Sequence, residues 1–498
     1  MTINKRSSGI LLAISSLPSL YGCGDFGDCA YRFAQLLHAH NQRLWQILPI
    51  NPTRSENNHS PYSSTSSFAL NKLFLSPQHL FSQGLISKSD LNPLHPPEFS
   101  TTDYSKAYSF KNYLLSKAWF RVRSQLPQEY HCFCHQNCHW LEDYSLFEVI
   151  SSRMKGLQWQ QWPDDLKKRE PKALQRFSQE FKEEIDREKF TQFLLETQFK
   201  ELKTYCNEKK ISIIGDIPFY LNSNSVECWK EPHLFKLNEH FEPAFLSGVP
   251  PDPLSPHGQC WRNPVYNWET MRNDSYRFWK QRLKRSFDLY DLVRIDHFRA
   301  FVAYWEIDAA HRDATKGSWV RVDSEGLFKE LLSYFSSFPV IAEDLGTITS
   351  DVREVMKRFS IPGMRVLQFG FDSNPDNHHL PHNYPVESLA CSSTHDTNTL
   401  YGWYLLNKNT PAGDLFCDYI GGSVSDKGSI WQAIRLLFLS PANLVVVPIQ
   451  DVLCTGDESR MNNPVQRGQN WVYRLSLEQM ENAPYHLLAK LSYMYGRV

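Results

Sequence analysis

The sequence has no apolar run long enough to cross a bilayer, and the stretch Gly9–Ile14 is too short for an export-signal core. Neither charge is in excess. The 53 Lys+Arg against 54 Asp+Glu leave a net charge of -1, so no basic face is implied and nucleic acid is excluded as a partner. Internal repeats and low-complexity tracts are missing, which argues against a solenoid or a disordered tail. The cysteines do not make a disulfide framework: there are 11, an odd and scattered set, as in a reduced cytoplasmic protein. Five potential ligands do crowd together at Cys132, Cys134, His135, Cys138 and His139. They lack the paired spacing of structural zinc sites, so free thiols and surface histidines are expected there, with no metal.

What is present is length, apolar content and aromatic rings. With 498 residues and 41% hydrophobic content, a large core is available. Aromatic residues reach 14%, which suits sugar stacking but also serves an ordinary core. Short apolar segments recur at Gly9–Leu12, Leu44–Pro49, Ile211–Asp216, Leu292–Asp296, Val340–Glu343, Arg365–Phe369, Leu389–Thr394 and Leu444–Ile449. Each has the length of a strand buried on both faces, and most precede helix-like stretches, which predicts a parallel α/β sheet. Eight units imply a (β/α)8 TIM barrel; the count of eight leans partly on a resemblance described below. Two gaps are too long for simple crossovers. Residues 76–202 are charged and helical in pattern, predicting an inserted helical subdomain in which the run Phe181–Lys189 is a solvated helix face. Residues 217–275, rich in proline, asparagine and aromatics and including Pro250-Pro251-Asp252-Pro253, predict long loops over the barrel mouth. The whole chain, 1–498, is expected to be one catalytic barrel with these additions.

Three polar clusters stand at the C-terminal ends of expected strands: Arg294-Ile295-Asp296-His297, Ala342-Glu343-Asp344 and Thr394-His395-Asp396. A barrel gathers such ends on one rim, where carboxylates far apart in sequence can meet. Taken singly, each carboxylate is more ordinarily a helix cap or an ion-pair partner. Three together favour catalysis at a glycosidic bond, where one carboxylate attacks the anomeric carbon and another protonates the departing oxygen. Arg294, two residues before Asp296, shares its side of the strand and would keep that carboxylate ionised.

At these positions the chain resembles the amylomaltases, the disproportionating 4-α-glucanotransferases. The resembling motifs run in the family's order over most of the chain. They include Ser15-Ser16-Leu17-Pro18, Leu44-Trp45-Gln46-Ile47-Leu48-Pro49, Ser60-Pro61-Tyr62, Gly215-Asp216-Ile217-Pro218 and Trp261-Arg262-Asn263-Pro264, then the three carboxylate clusters, Gln450-Asp451 and Arg460-Met461-Asn462. The resemblance implies Asp296 as nucleophile, Glu343 as acid/base and Asp396 as stabiliser of the distorted sugar. It implies that Arg294 and His395 hold the donor glucose with Asp216 nearby, and that Tyr62, Trp261 and Asn263 contact the glucan. The partners it implies are an α-1,4-glucan donor and a glucose or maltodextrin acceptor, with no cofactor. Departures are Ala13 where the family often has a polar residue, Arg262 in place of a glycine, and Val465 where a glycine-containing turn is usual. Two rival readings are an α-amylase-type hydrolase, with the same carboxylates and water as acceptor, and a non-catalytic glycan-binding barrel. A metal-dependent protein using the cysteine cluster is more distant still.

Overall fold

The computed structural model describes residues 5–94, 100–252, 255–422, 425–464 and 468–498. Val465 and Pro253, singled out above, lie outside the described residues. All eight expected segments form strands: β1 Ser7–Leu11, β2 Leu44–Gln46, β3 Ser212–Ile217, β4 Leu292–Ile295, β5 Val340–Ala342, β6 Gly363–Val366, β7 Ser388–Cys391 and β8 Leu444–Pro448. They pair in parallel in the order β6-β7-β8-β1-β2-β3-β4-β5. The two ends of that order meet. Ala342 N donates to Pro362 O at 2.8 Å, and Asp344 accepts from Met364 N at 2.6 Å and from Arg365 Nη1 at 2.8 Å. A side chain thus replaces ladder bonds where the β5–β6 pairing is thin. Gly363 is needed for this approach, because a Cβ there would meet the Asp344 carboxylate at 2.5 Å.

The strands are apolar throughout because both of their faces are buried. Leu11, Leu44, Ile214, Leu292, Ile341, Met364, Leu389 and Leu444 fill the barrel lumen, one from each strand, and β6, β7 and β8 each add a second in Val366, Cys391 and Val446. Their neighbours Ile10, Trp45, Ile213, Val293, Val340, Ala390 and Val445 face outward into the layer shared with the helices. The period of two therefore decides which side chains look inward. It also decides what stands at the rim: Asp216 follows Ile214, Arg294 and Asp296 follow Leu292, and Glu343 follows Ile341, all in lumen phase.

Between β2 and β3 the chain is helix and loop, with long helices at Tyr104–Val122, Gln128–Arg153 and Lys182–Glu208. The last two run antiparallel: Arg153 pairs with Glu184, Glu142 with Lys189, and Phe133 packs on Phe193. The run Phe181–Lys189 is not wholly a solvated face. Glu183 and Glu184 reach Arg123 and Arg153, whereas Ile185 and Glu188 are buried, Glu188 against the buried Lys72 at 2.7 Å. The same helix continues past the insertion to the barrel, where Phe199 meets Phe26 at 5.1 Å.

Residues 217–275 are more than loops. Strands Phe245–Val249 and Gln259–Pro264 join Ala303–Asp308 and Ser318–Arg321 in a four-stranded antiparallel sheet. Their alternation is broken by a bulge between Leu246 and Gly248, and two partner strands lie beyond β4, so no local pattern announces them. The cysteine cluster sits on the helix Gln128–Arg153, with Cys132 and Cys138 exposed and Cys134 half-buried. No three His, Cys, Asp or Glu side chains among the described residues are arranged to hold a metal ion. No helix among them is long and apolar enough to cross a membrane.

Candidate active site

Asp216, at the end of β3, is fully buried and accepts from Arg294 Nη1 with both oxygens at 2.7 Å. Arg294 turns its other nitrogen to Asp296 Oδ1 at 3.1 Å. The guanidinium is therefore shared, and its tighter contacts go to Asp216. Burial pushes the Asp296 carboxyl up to about 6, with Arg294 opposing and Asp216 adding to the rise. Arg294 limits that shift and leaves Asp296 mainly ionised at neutral pH.

Glu343 follows β5 and is held by two backbone amides: His297 N donates to Oε2 at 2.7 Å and Leu345 N to Oε1 at 2.8 Å. His297 is the residue after Asp296, so one turn of chain carries one carboxylate and orients the other. That turn uses a left-handed residue, His297 with φ 48°. Burial raises Glu343 to about 7; Arg294 opposes this and the negative Asp296 adds to it. Both carboxyls are thus raised, and repulsion between their charges favours one shared proton, as an acid beside a nucleophile requires.

Asp396 lies beyond β7. Its Oδ1 accepts from Asn462 Nδ2 at 2.7 Å, and its Oδ2 lies 3.2 Å from His395 Nε2. Burial alone would raise this carboxyl, but His395, Asn462 and Arg294 together outweigh it and hold Asp396 at about 2. Asp396 pulls His395 upward against the burial that would lower it. Tyr62 completes this side. Its hydroxyl donates to Asp216 Oδ2 at 2.6 Å, and its ring stacks on His395 at 5.0 Å with 8° between planes. Trp471 leans on both rings, at 5.7 and 6.1 Å.

On the Glu343 side, Trp261 meets the His297 ring edge-on at 4.7 Å. His297 is pushed down to about 3 by burial, so its ring is neutral. Tyr62, Asp216, Arg294, Asp296, His395 and Asp396 are joined by direct contacts, Glu343 joins them through the His297 amide, and Trp261 through the His297 ring. Asn263 lies half-buried in the strand Gln259–Pro264, and no described hydrogen bond ties it to the carboxylates. Arg262 is exposed, with φ 63°; a non-glycine residue there costs about 1 kcal/mol. Ala13 is buried in the wall of a small recess that Trp471 also lines. Sequence reasoning gave no role to His297, Asn462, Trp471 or Asp451, although all but Trp471 stand inside motifs it quoted. Their partners lie tens to hundreds of residues away, and no spacing rule pairs them.

A family model for 4-alpha-glucanotransferases matches residues 12–479. The chain belongs to the 4-alpha-glucanotransferase family. It is 39% identical over 493 residues to the 4-alpha-glucanotransferase of Aquifex aeolicus, covering 99% of each chain. To that of Thermus thermophilus it is 39% identical over 482 residues, covering 94% of this chain and 95% of the relative. Among solved structures, amylomaltase from Streptococcus agalactiae in complex with acarbose superposes with a TM-score of 0.94 at 32% identity, covering 99% and 100%. Membership makes the chain a 4-alpha-glucanotransferase on a TIM barrel, and neither the hydrolytic nor the non-catalytic reading is favoured.

Proposed function

We propose that the transfer runs by retaining double displacement, with Asp296 as nucleophile, Glu343 as acid/base and Asp396 as stabiliser of the distorted donor sugar. An Asp296 oxygen attacks the anomeric carbon of an α-1,4-glucan as the glycosidic C–O bond breaks, and Glu343 protonates the departing oxygen. The 4-hydroxyl of a glucose or maltodextrin acceptor then attacks the glycosyl-enzyme and returns a proton to Glu343, freeing Asp296. Arg294 and His395 hold the donor glucose, Tyr62 contacts it beside His395, and Asp216 fixes Arg294 and Tyr62 from beneath, while Trp261 and Asn263 serve the glucan on the acid/base side. No metal or cofactor has a part, because the carboxylates supply both nucleophile and proton. The protein works in the cytoplasm as a single barrel, with 76–202 as a helical subdomain and 217–275 covering the site.

The observation that carries this reading is the placement of Glu343, held by the His297 and Leu345 amides, next to Asp296, held by Arg294, with burial raising both carboxyls. Such a pair shares one proton near neutrality, carried by the acid while the nucleophile stays paired with Arg294. Incubation with maltotriose tests it: a ladder of longer maltodextrins plus glucose is expected. Glu343→Gln should lower transfer by about 10²- to 10⁴-fold with an unchanged circular-dichroism spectrum. Shortening alone, with net release of reducing ends, would indicate water as the acceptor. Retained transfer in Glu343→Gln would remove that residue from its role.

A further inference from the structure

We infer that Asp451 is a positioning residue for the donor-side pair His395–Asp396, acting by clamping the two ends of the loop that carries them. The inference rests on the donor-side roles proposed above. Asp451 follows β8 and is fully buried. Its Oδ2 accepts from Ser392 Oγ and Ser393 Oγ, each at 2.6 Å, and its Oδ1 accepts from Leu400 N at 2.6 Å. The two serines directly follow β7, and Leu400 opens the helix Leu400–Asn407. One carboxylate therefore closes residues 392–399 into a loop of set span, with His395 and Asp396 at its middle.

The energetics point the same way. A buried carboxylate costs several kcal/mol of desolvation, and local folding does not require one here. The helix that starts at Leu400 already has its cap, since Gly402 N donates to Thr399 Oγ1 at 2.9 Å. What Asp451 adds is the tie between strand end and helix start. The rest of the loop is fastened around that tie: Gln368 Nε2 donates to Asn398 O at 2.7 Å, and Arg460 Nη2 to Asp396 O at 3.0 Å. With the loop so held, the Asp396 carboxylate has little freedom to drift from Asn462 and His395. Displacing a catalytic group by about 1 Å costs roughly a hundredfold in rate.

Steady-state kinetics of full-length variants test the clamp. Asp451→Ala removes all three acceptor contacts and is expected to lower kcat by roughly a hundredfold, with a smaller change in KM. Asp451→Asn is expected to recover most of that loss. Its carbonyl can still accept from Leu400 N, while its NH2 faces hydroxyls that can turn to accept. In a His395→Ala/Asp396→Ala background, Asp451→Ala should cost little further activity, although its loss of thermal stability should be the same as in the wild type. Equal kcat losses in both backgrounds, or an Asn variant as poor as the Ala variant, would overturn the inference. If Asp451→Ala does not melt cooperatively, Ser393→Ala, expected to lower kcat severalfold, carries the same background comparison. A fully active His395→Ala would instead refute the donor-side reading, so the two failures are distinguishable.

Discussion

Glu343 is gripped by two amides that favour its charged form, yet its proton affinity rises because burial outweighs both. Burial raises Asp296 too, and Arg294, 3.1 Å away, opposes that rise. The consequence is a narrow working range. The two titrate as a coupled pair: once both are protonated the nucleophile is lost, and once both are ionised the acid is lost. A bell-shaped kcat/KM profile with its maximum between those limits is therefore expected in maltotriose disproportionation. A plateau extending well above pH 8 would contradict the assignment of Glu343. At this scale much of the site was legible beforehand. Asp296, Glu343 and Asp396 follow apolar strands, and the period of two aims the first two into the lumen. The sharing of Arg294 with Asp216 was not legible, because that contact crosses 78 residues and depends on β3 and β4 being neighbours. Neither were the roles of Asn462 and Asp451, whose partners are set by the closed barrel.

Among the elements, the junction of β5 and β6 is where the barrel depends on a side chain. Asp344 takes over the bonding that a longer ladder would supply, and Gly363 leaves it room. Asp344→Ala should destabilise the protein by about 3 kcal/mol, leaving Met364 N without its acceptor and Arg365 without its partner. Urea unfolding followed by tryptophan fluorescence measures this; a change below about 0.5 kcal/mol would show that the junction does not rely on Asp344. The eight strands were readable because burial on both faces makes them uniformly apolar. Their ends were overestimated: the segments expected to run to Pro49 and Thr394 pair only to Gln46 and Cys391. Past Gln46 one backbone bond continues, Ile47 N to Ile214 O at 2.9 Å, whereas past Cys391 the Thr394 amide turns to the Thr397 hydroxyl at 3.0 Å. The antiparallel sheet over the mouth escaped notice because its strands are short, bulged and paired across long separations. Arg262 shows the opposite case, a departure visible in the sequence whose reason is backbone geometry, a left-handed φ that suits glycine.

For the molecule as a whole, the helical insertion and the barrel are tied together around the segment that carries Tyr62. Lys72 pairs with Glu188, Arg54 with Glu148 at 2.6 Å, and Gln192 bonds both the amide and the carbonyl of Leu70. From the other side, in the segment after β3, Glu227 accepts from Ser66 Oγ at 3.0 Å and from Ser67 N at 2.7 Å. Tyr62 is thus placed against Asp216 and His395 by contacts with both parts. Lys72→Ala strands a buried carboxylate and should cost about 3–5 kcal/mol, whereas Lys72→Met/Glu188→Leu should restore most of the stability. Thermal unfolding of the three proteins distinguishes these outcomes, and an unaffected single variant would show that the pair is not needed. The helical character of 76–202 was evident from composition; the inward face of Lys182–Glu208 was not, because Glu188 resembles its solvated neighbours until Lys72 is seen beside it. The central claim at every scale is that the barrel brings Asp296 to the anomeric carbon as a nucleophile. It is tested most directly by trapping the glycosyl-enzyme with a fluorinated glucosyl donor and mapping the labelled peptide by mass spectrometry. The label is expected on Asp296 and should vanish in Asp296→Asn; label on Glu343 or Asp396, or undiminished labelling of that variant, would contradict the account.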